Sequence, residues 1–242
     1  MSGLEGRRVL VVGGSSGIGL GIAQVAASAG AQVTIASRSQ EKLDAALKSI
    51  EGAATARVLD ASKDADVETF FSDGKAWDHV VTSAGMGGRG TLPNIEMKTA
   101  YAAMDAKFWV YFRVARAAKI ATGGTLTFVS GSLGTKAAFG SALVSATNAA
   151  VEALARGLAL DLAPVRVNVI SPGVVDTPLW NQFSEERRKE FFATTSQKLP
   201  ARRIGQPRDI GHAVVFAMTN PFLTGQIIQV DGGSGILPGT GH

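Results

Sequence analysis

Apolar and polar positions along this 242-residue chain alternate between two patterns. Short apolar runs bounded by turn residues read as buried strands, and stretches with apolar residues every three or four positions read as helices. The runs predict strands over 9–12, 31–37, 55–60, 78–85, 125–132, 166–173 and 226–233. Between them the periodicity predicts a small-residue helix after the first strand and helices over about 40–51, 66–72, 96–120, 141–162 and 207–218. A polar segment runs from the sixth strand to about residue 201.

Strands that are apolar on both faces and separated by helices imply a parallel sheet covered on both sides. Right-handed crossovers then give an α/β fold, a doubly wound parallel sheet of Rossmann type with about seven strands. The absence of a repeat, linker or low-complexity tract argues for one domain over 1–242, closed by a glycine-rich tail (232–241). In such sheets ligands lie beyond the carboxyl ends of the strands, so the informative residues are those at each strand exit.

Composition narrows the function. Apolar residues make up 45% and charged residues 18%, which excludes a disordered chain. The net charge of +4 is scattered; its densest cluster, Arg187, Arg188 and Lys189 behind Glu185 and Glu186, reads as a solvated helix face, so no nucleic-acid partner is expected. There is no cysteine, and His79, His212 and His242 have no ligand spacing, so no metal is expected. A strand within eight residues of the start and no apolar stretch near 18 residues suggest neither leader nor membrane span, and a cytoplasmic location.

The first strand exit reads VLVVGGSSGIGLG over 9–21. Gly13, Ser15, Ser16, Gly17, Ile18 and Gly19 form a candidate phosphate cradle, in which glycines let backbone N–H groups reach a pyrophosphate at a helix N-terminus; the alternative is a plain turn. The spacing is G-x-x-x-G-x-G, so it matches the G-x-G-x-x-G rule by mechanism only. At the second exit stand Ser37 and Arg38, with no carboxylate at 36–39. An arginine there suits a 2′-phosphate and points to NADP(H); otherwise Arg38 is a surface helix-start residue. Asp60, with Ala61 beside it, is either an adenine contact or a helix cap. Ser83, Ala84 and Gly85 suit close approach to a ribose. Pro172, Gly173, Val174 and Thr177, in the turn after the sixth strand, suit a nicotinamide carboxamide.

These motifs together resemble the short-chain dehydrogenase/reductase family over essentially the whole length. VGGSSGIG (12–19) matches the family's T-G-x-x-x-G-x-G with Val12 in place of Thr, and Thr82–Gly85 matches N-N-A-G. SPGVVDTP (171–178), the run from Leu199 through Arg203, Gly205 and Pro207 to Ile210, and Asp231-Gly232-Gly233 match further motifs. The resemblance implies NADP(H) binding, a homodimer or homotetramer, and a substrate lid at about 179–203, where Trp180, Phe183, Phe191 and Phe192 suggest an apolar or aromatic small-molecule substrate or merely staple the lid.

The same alignment empties the reaction centre. Gly131 stands where the family has serine, Val144 where it has tyrosine, Asn148 where it has lysine and Lys107 where it has asparagine. Neither Tyr101 nor Tyr111 is followed by lysine four residues later, so the phenol–ammonium device is missing. The candidates that remain are Lys107, to polarise a carbonyl or bind an anion; Ser132, as an imperfect serine; and Asn148, to hold the nicotinamide ribose. Ser130, beside Gly131, is placed among the cofactor contacts. Each has a bland counterpart: a solvated helix lysine, an exposed helix asparagine. A positioned general acid is worth about 10²–10⁴ in rate, whereas orientation of two reactants supplies about 7–11 kcal/mol, so losing the acid need not abolish hydride transfer. The reading is an NADP(H)-dependent oxidoreductase with an atypical proton donor, acting on a carbonyl-type, imine or quinone substrate. A catalytically silent NADP(H)-binding sensor or partner protein, and a lyase or isomerase on the same fold, remain as alternatives.

Overall fold

The computed structural model describes residues 3–85, 88 and 90–237. His242 and the end of the glycine-rich tail lie outside the described residues. Seven parallel strands form one sheet in the order β3-β2-β1-β4-β5-β6-β7: β1 Arg8–Val12, β2 Gln32–Ser37, β3 Ala54–Val58, β4 Trp77–Thr82, β5 Ile120–Val129, β6 Arg166–Pro172 and β7 Ile227–Val230. The helices are α1 Gly17–Ser28, α2 Gln40–Leu47, α3 Asp64–Phe71, α4 Met97–Met104, α5 Val110–Ala117, α6 Ala142–Asp161, α7 Glu185–Lys198 and α8 Pro207–Thr219. This is the doubly wound sheet that the strand pattern predicts.

Strand alternation divides the core in two. Val9 and Val11 of β1 face one way and join Ile22 of α1, Leu43 of α2 and Ile210 and Val214 of α8. Leu10 and Val12 face the other way and join Val67 of α3, Val110 and Val114 of α5 and Val151 of α6. Each fully buried aliphatic side chain contributes about 1.5–3 kcal/mol, so both faces must be covered for the sheet to be stable. Helix starts are chemically marked: Ser39 caps α2 and Ser184 caps α7 by accepting from Lys42 N and Arg187 N, and Gln206 and Asp209 form a capping box at α8 behind Pro207.

Several boundaries differ from the periodicity, most of all around the start of β5. The predicted helix over 96–120 is interrupted by a π-helical turn at Asp105–Trp109 and ends at Ala117, and β5 begins at Ile120. Gly123, at φ +78°, and Gly124, where a Cβ would lie 2.3 Å from Asp78 O, disguise the start of that strand as a loop. The polar segment contains α7, which buries none of its residues; Lys189 and Glu185 pair across one of its turns.

His79 is a buried strand residue whose Nδ1 lies 2.9 Å from Thr125 Oγ1. Burial lowers its pKa from 6.5 to about 4, outweighing the attraction of Asp78. The folded state therefore resists protonation that the unfolded chain accepts. Stability should be full above pH 6.5 and decline as pH falls towards about 4, by up to about 3 kcal/mol. Urea melts from pH 7 to 4 should show this dependence reduced in His79→Gln, where nothing titrates.

Candidate active site

Every strand ends at the same edge of the sheet, and the cradle opens there. Gly13, at φ +85°, lies so close to the exit of β4 that a Cβ would come 2.7 Å from Ser83 O. At Gly19 a Cβ would lie 2.1 Å from Gly13 O, so α1 begins hard against the turn. The N-cap Ser16 makes no side-chain cap and the first turn of α1 holds no acidic residue, which leaves a helix N-terminus suited to a phosphate. Across the cleft, Thr177 stands 3.4 Å from where a Cβ of Gly17 would be, so the turn after β6 and the cradle converge.

The neighbouring strand exits are those of β2 and β3. Ser37 Oγ is buried without a partner among the described residues, and Arg38 beside it is exposed. Asp60 lies beyond the end of β3, not on it. Its Oδ1 accepts from Ser62 N at 3.1 Å and Ser62 Oγ at 2.6 Å, with Lys63 at 3.7 Å, so one oxygen is engaged by the turn into α3. That Ser62 hydroxyl lowers its pKa, with help from Lys63 and Arg38 against partial burial. Ala61 is buried, Ser83 and Ala84 are half-buried and Gly85 is exposed. An orphaned hydroxyl and an arginine at the second strand, a bare helix N-terminus and a glycine cradle fit a dinucleotide carrying a 2′-phosphate.

At the reaction centre the π-helical turn, the exit of β5 and α6 meet. Lys107 is only 6% exposed, and its Nζ donates to Ser130 O at 2.9 Å. Burial lowers its pKa from 10.5 to about 8 although Glu152 acts to raise it. Ser130 Oγ donates to Glu152 Oε1 at 2.8 Å, and Glu152, on α6, is 3% exposed. Asn148, one turn earlier on α6, is buried with its Oδ1 unpartnered among the described residues. Its Nδ2 fills the space beside Gly131: a Cβ there would lie 2.9 Å away. Val144 presents a half-buried apolar side chain one turn further towards the start of α6.

Several expectations change. Lys107 and Asn148 are buried, not solvated. Ser130 and Ser132 do not flank Gly131 on a strand: β5 stops at Val129, and Ser132 opens a 3₁₀ turn because its carbonyl accepts from Thr135 N and Lys136 N. The Ser130 hydroxyl is engaged by Glu152. The lid aromatics pack on one another, Trp180 lying 4.8 Å from Phe191 and 5.6 Å from Phe192 between ring centroids, and Trp180 Nε1 donates to Val175 O. Tyr111 does not replace the missing phenol: it is buried under β5, its hydroxyl donates to Val129 O at 2.7 Å, and burial pushes its pKa up. Glu152 was not among the candidates. The signal that marks it is its place on the buried stripe Asn148, Val151, Glu152, Ala155, as Lys107 stands on Ala103, Lys107, Val110, Val114.

Residues 12–235 match the family model described as enoyl-(acyl carrier protein) reductase. A short-chain dehydrogenase/reductase, ATR9, of Stachybotrys chlorohalonatus is 31% identical over 97% of this chain and 99% of its own length. A crystal structure of a small-chain dehydrogenase in complex with NADPH superposes with a TM-score of 0.79 at 31% identity, covering 96% of this chain and all of that one (100%). A short-chain oxidoreductase of Pseudomonas aeruginosa PAO1, described as containing an atypical catalytic centre, superposes with a TM-score of 0.86 at 26% identity, covering 94% and 97%. The chain belongs to the short-chain dehydrogenase/reductase family, with an unusual arrangement at the positions of its catalytic serine, tyrosine and lysine.

The contact between Gly131 and Asn148 has a measurable consequence. Gly131→Ser should lower stability by about 1–3 kcal/mol, and Asn148→Ala should relieve most of that loss. Thermal melts of the two single variants and the double variant check the coupling.

Proposed function

We propose that this protein is an NADP(H)-dependent oxidoreductase that reduces a small apolar or aromatic carbonyl-type, imine or quinone substrate, with Lys107 supplying the proton. The observation that carries this reading is an exchange between two helices. The family's lysine position on α6 holds Asn148, and its asparagine position on the π-helical turn holds Lys107, whose ammonium is buried at the exit of β5. The ammonium is kept, but it arrives from the other side.

NADPH, when bound, supplies the hydride from its nicotinamide ring. Arg38 and Ser37 receive the 2′-phosphate end, and Gly13, Ser15, Ser16, Gly17, Ile18 and Gly19 receive the pyrophosphate. Asp60 and Ala61 border the adenine, and Ser83, Ala84 and Gly85 the ribose beside it. Pro172, Gly173, Val174 and Thr177 hold the carboxamide, and Asn148 Nδ2 serves the nicotinamide ribose in place of a lysine. Lys107 donates a proton to the substrate oxygen or nitrogen as negative charge develops there. A buried ammonium that titrates near pH 8 is a stronger acid than a free lysine and closer to working pH. Val144 leaves an apolar wall where a phenol would stand. The segment over 179–203 acts as a lid, its aromatic cluster closing over an apolar substrate.

The assembly proposed is a homodimer or homotetramer. Met97, Tyr101, Trp109 and Phe112 expose large side chains along α4, the π-helical turn and α5, the apolar surface such an assembly would cover. Among the described residues no helix is long and apolar enough to cross a membrane.

Fluorescence titration should show NADPH binding tighter than NADH, and Arg38→Asp should reverse or erase that preference. Following NADPH oxidation with ketones, quinones and imines should then show turnover that Lys107→Met lowers about 10²–10⁴-fold. Reduction should decline as pH rises through about 8, because the donor is then deprotonated before substrate arrives. Tight binding with no turnover on any substrate would favour the silent sensor instead.

A further inference from the structure

We infer that Glu152 is a positioning residue of this site, the buried counter-charge that holds Lys107 as an aimed ammonium through Ser130. The inference rests on the reading of Lys107 as proton donor, and the geometry leads to it independently of the family's motif positions. Lys107 Nζ donates to the backbone oxygen of Ser130 at 2.9 Å, and the hydroxyl of the same residue donates to Glu152 Oε1 at 2.8 Å. One serine thus ties an ammonium from the π-helical turn to a carboxylate from α6. All three residues are buried, at 6%, 7% and 3% exposure. Space has been cleared for the carboxylate: at Gly134 a Cβ would lie 2.8 Å from Glu152 Oε1.

The helix ends do not call for a carboxylate here. Glu152 stands in the middle of a 20-residue helix, away from either terminus, and a serine hydroxyl needs only a neutral acceptor. A buried ammonium, by contrast, is unstable unless an opposite charge is close, and Glu152 acts to raise the Lys107 pKa against burial.

The surroundings offer few competitors among the described residues. From α5, Tyr111 is a neutral phenol bonded to Val129 O. From the loop after β5, Lys136 turns away to the carbonyls of Ser234 and Leu237, 2.9 and 2.7 Å off. Asp105, two residues before Lys107, is exposed. Each reduction would leave Lys107 as a neutral amine that must regain a proton from water, and Glu152 is the charge that favours that return.

Glu152→Gln tests this, because it keeps the acceptor and the volume but removes the charge. Two profiles are compared in the wild type and the variant: kcat for reduction against pH, and the rate of Lys107 acetylation by acetic anhydride against pH, mapped by peptide mass spectrometry. The expected result is that both midpoints move down by about one pH unit or more, while KM changes little. A folded variant in which neither midpoint moves would overturn the inference. If the acetylation midpoint moves and the kcat profile does not, Glu152 keeps its role and Lys107 loses that of donor. If Glu152→Gln fails to fold, Lys107→Met/Glu152→Gln should fold again, since it removes the stranded charge; a double variant no more stable than the single one would overturn the inference.

Discussion

Seven strands running in one direction set the rules for everything else in this molecule. Because the order is β3-β2-β1-β4-β5-β6-β7, the crossover direction reverses between β1 and β4, and a crevice opens at their carboxyl ends. The same parallel register delivers the exits of β2, β5 and β6 to that edge. A residue one or two positions past a strand is thereby placed at the site without any special local device. The two apolar cores, one on each face of the sheet, hold this edge rigid enough for a cleft to keep its shape.

That rule is why much of the molecule was legible in the sequence. The cradle is written in glycines, and Gly13 and Gly19 stand where a Cβ has no room. Arg38, Ser83 and Thr177 could be placed because strand ends can be read from apolar runs. Periodicity failed where the backbone departed from the ideal repeat. A π-helical turn at 105–109 breaks the helix predicted over 96–120, and the Gly123–Gly124 pair hides the first five residues of β5. The chain's course past a strand was equally beyond reach: β5 stops at Val129, and Ser132 opens a 3₁₀ turn that its carbonyl closes. The buried Lys107 and Glu152 were obscured for another reason. Composition makes charged residues on helices solvated by default, and only their place on the apolar stripe contradicts that.

Burial of a charge is expensive, so a chain that retains one deep inside generally has a use for it or a partner for it. On the reading proposed for Lys107, that partner is Glu152, held one serine away. The lowered pKa follows from the same balance: burial pulls the ammonium towards neutrality, and the nearby carboxylate limits how far. An acid titrating near neutrality is what proton donation to a developing oxyanion requires. The phenol that the family normally uses is absent; on the reading proposed, the ammonium of Lys107 beside Ser130 supplies the positive charge instead.

The departures from the family pattern are physically linked and do not amount to separate losses. Asn148 has a shorter side chain than lysine and turns towards β5, where its Nδ2 occupies the space a serine Cβ would need at 131. Glycine at 131 therefore leaves the room that Asn148 Nδ2 takes. The π-helical turn at 105–109 carries Lys107 to the carbonyl of Ser130, the residue just before Gly131. Glycine at 134 then leaves room for the carboxylate that balances it. Around one strand exit, then, a buried lysine, a buried glutamate and a buried asparagine sit beside two glycines, Gly131 leaving room for Asn148 and Gly134 for Glu152.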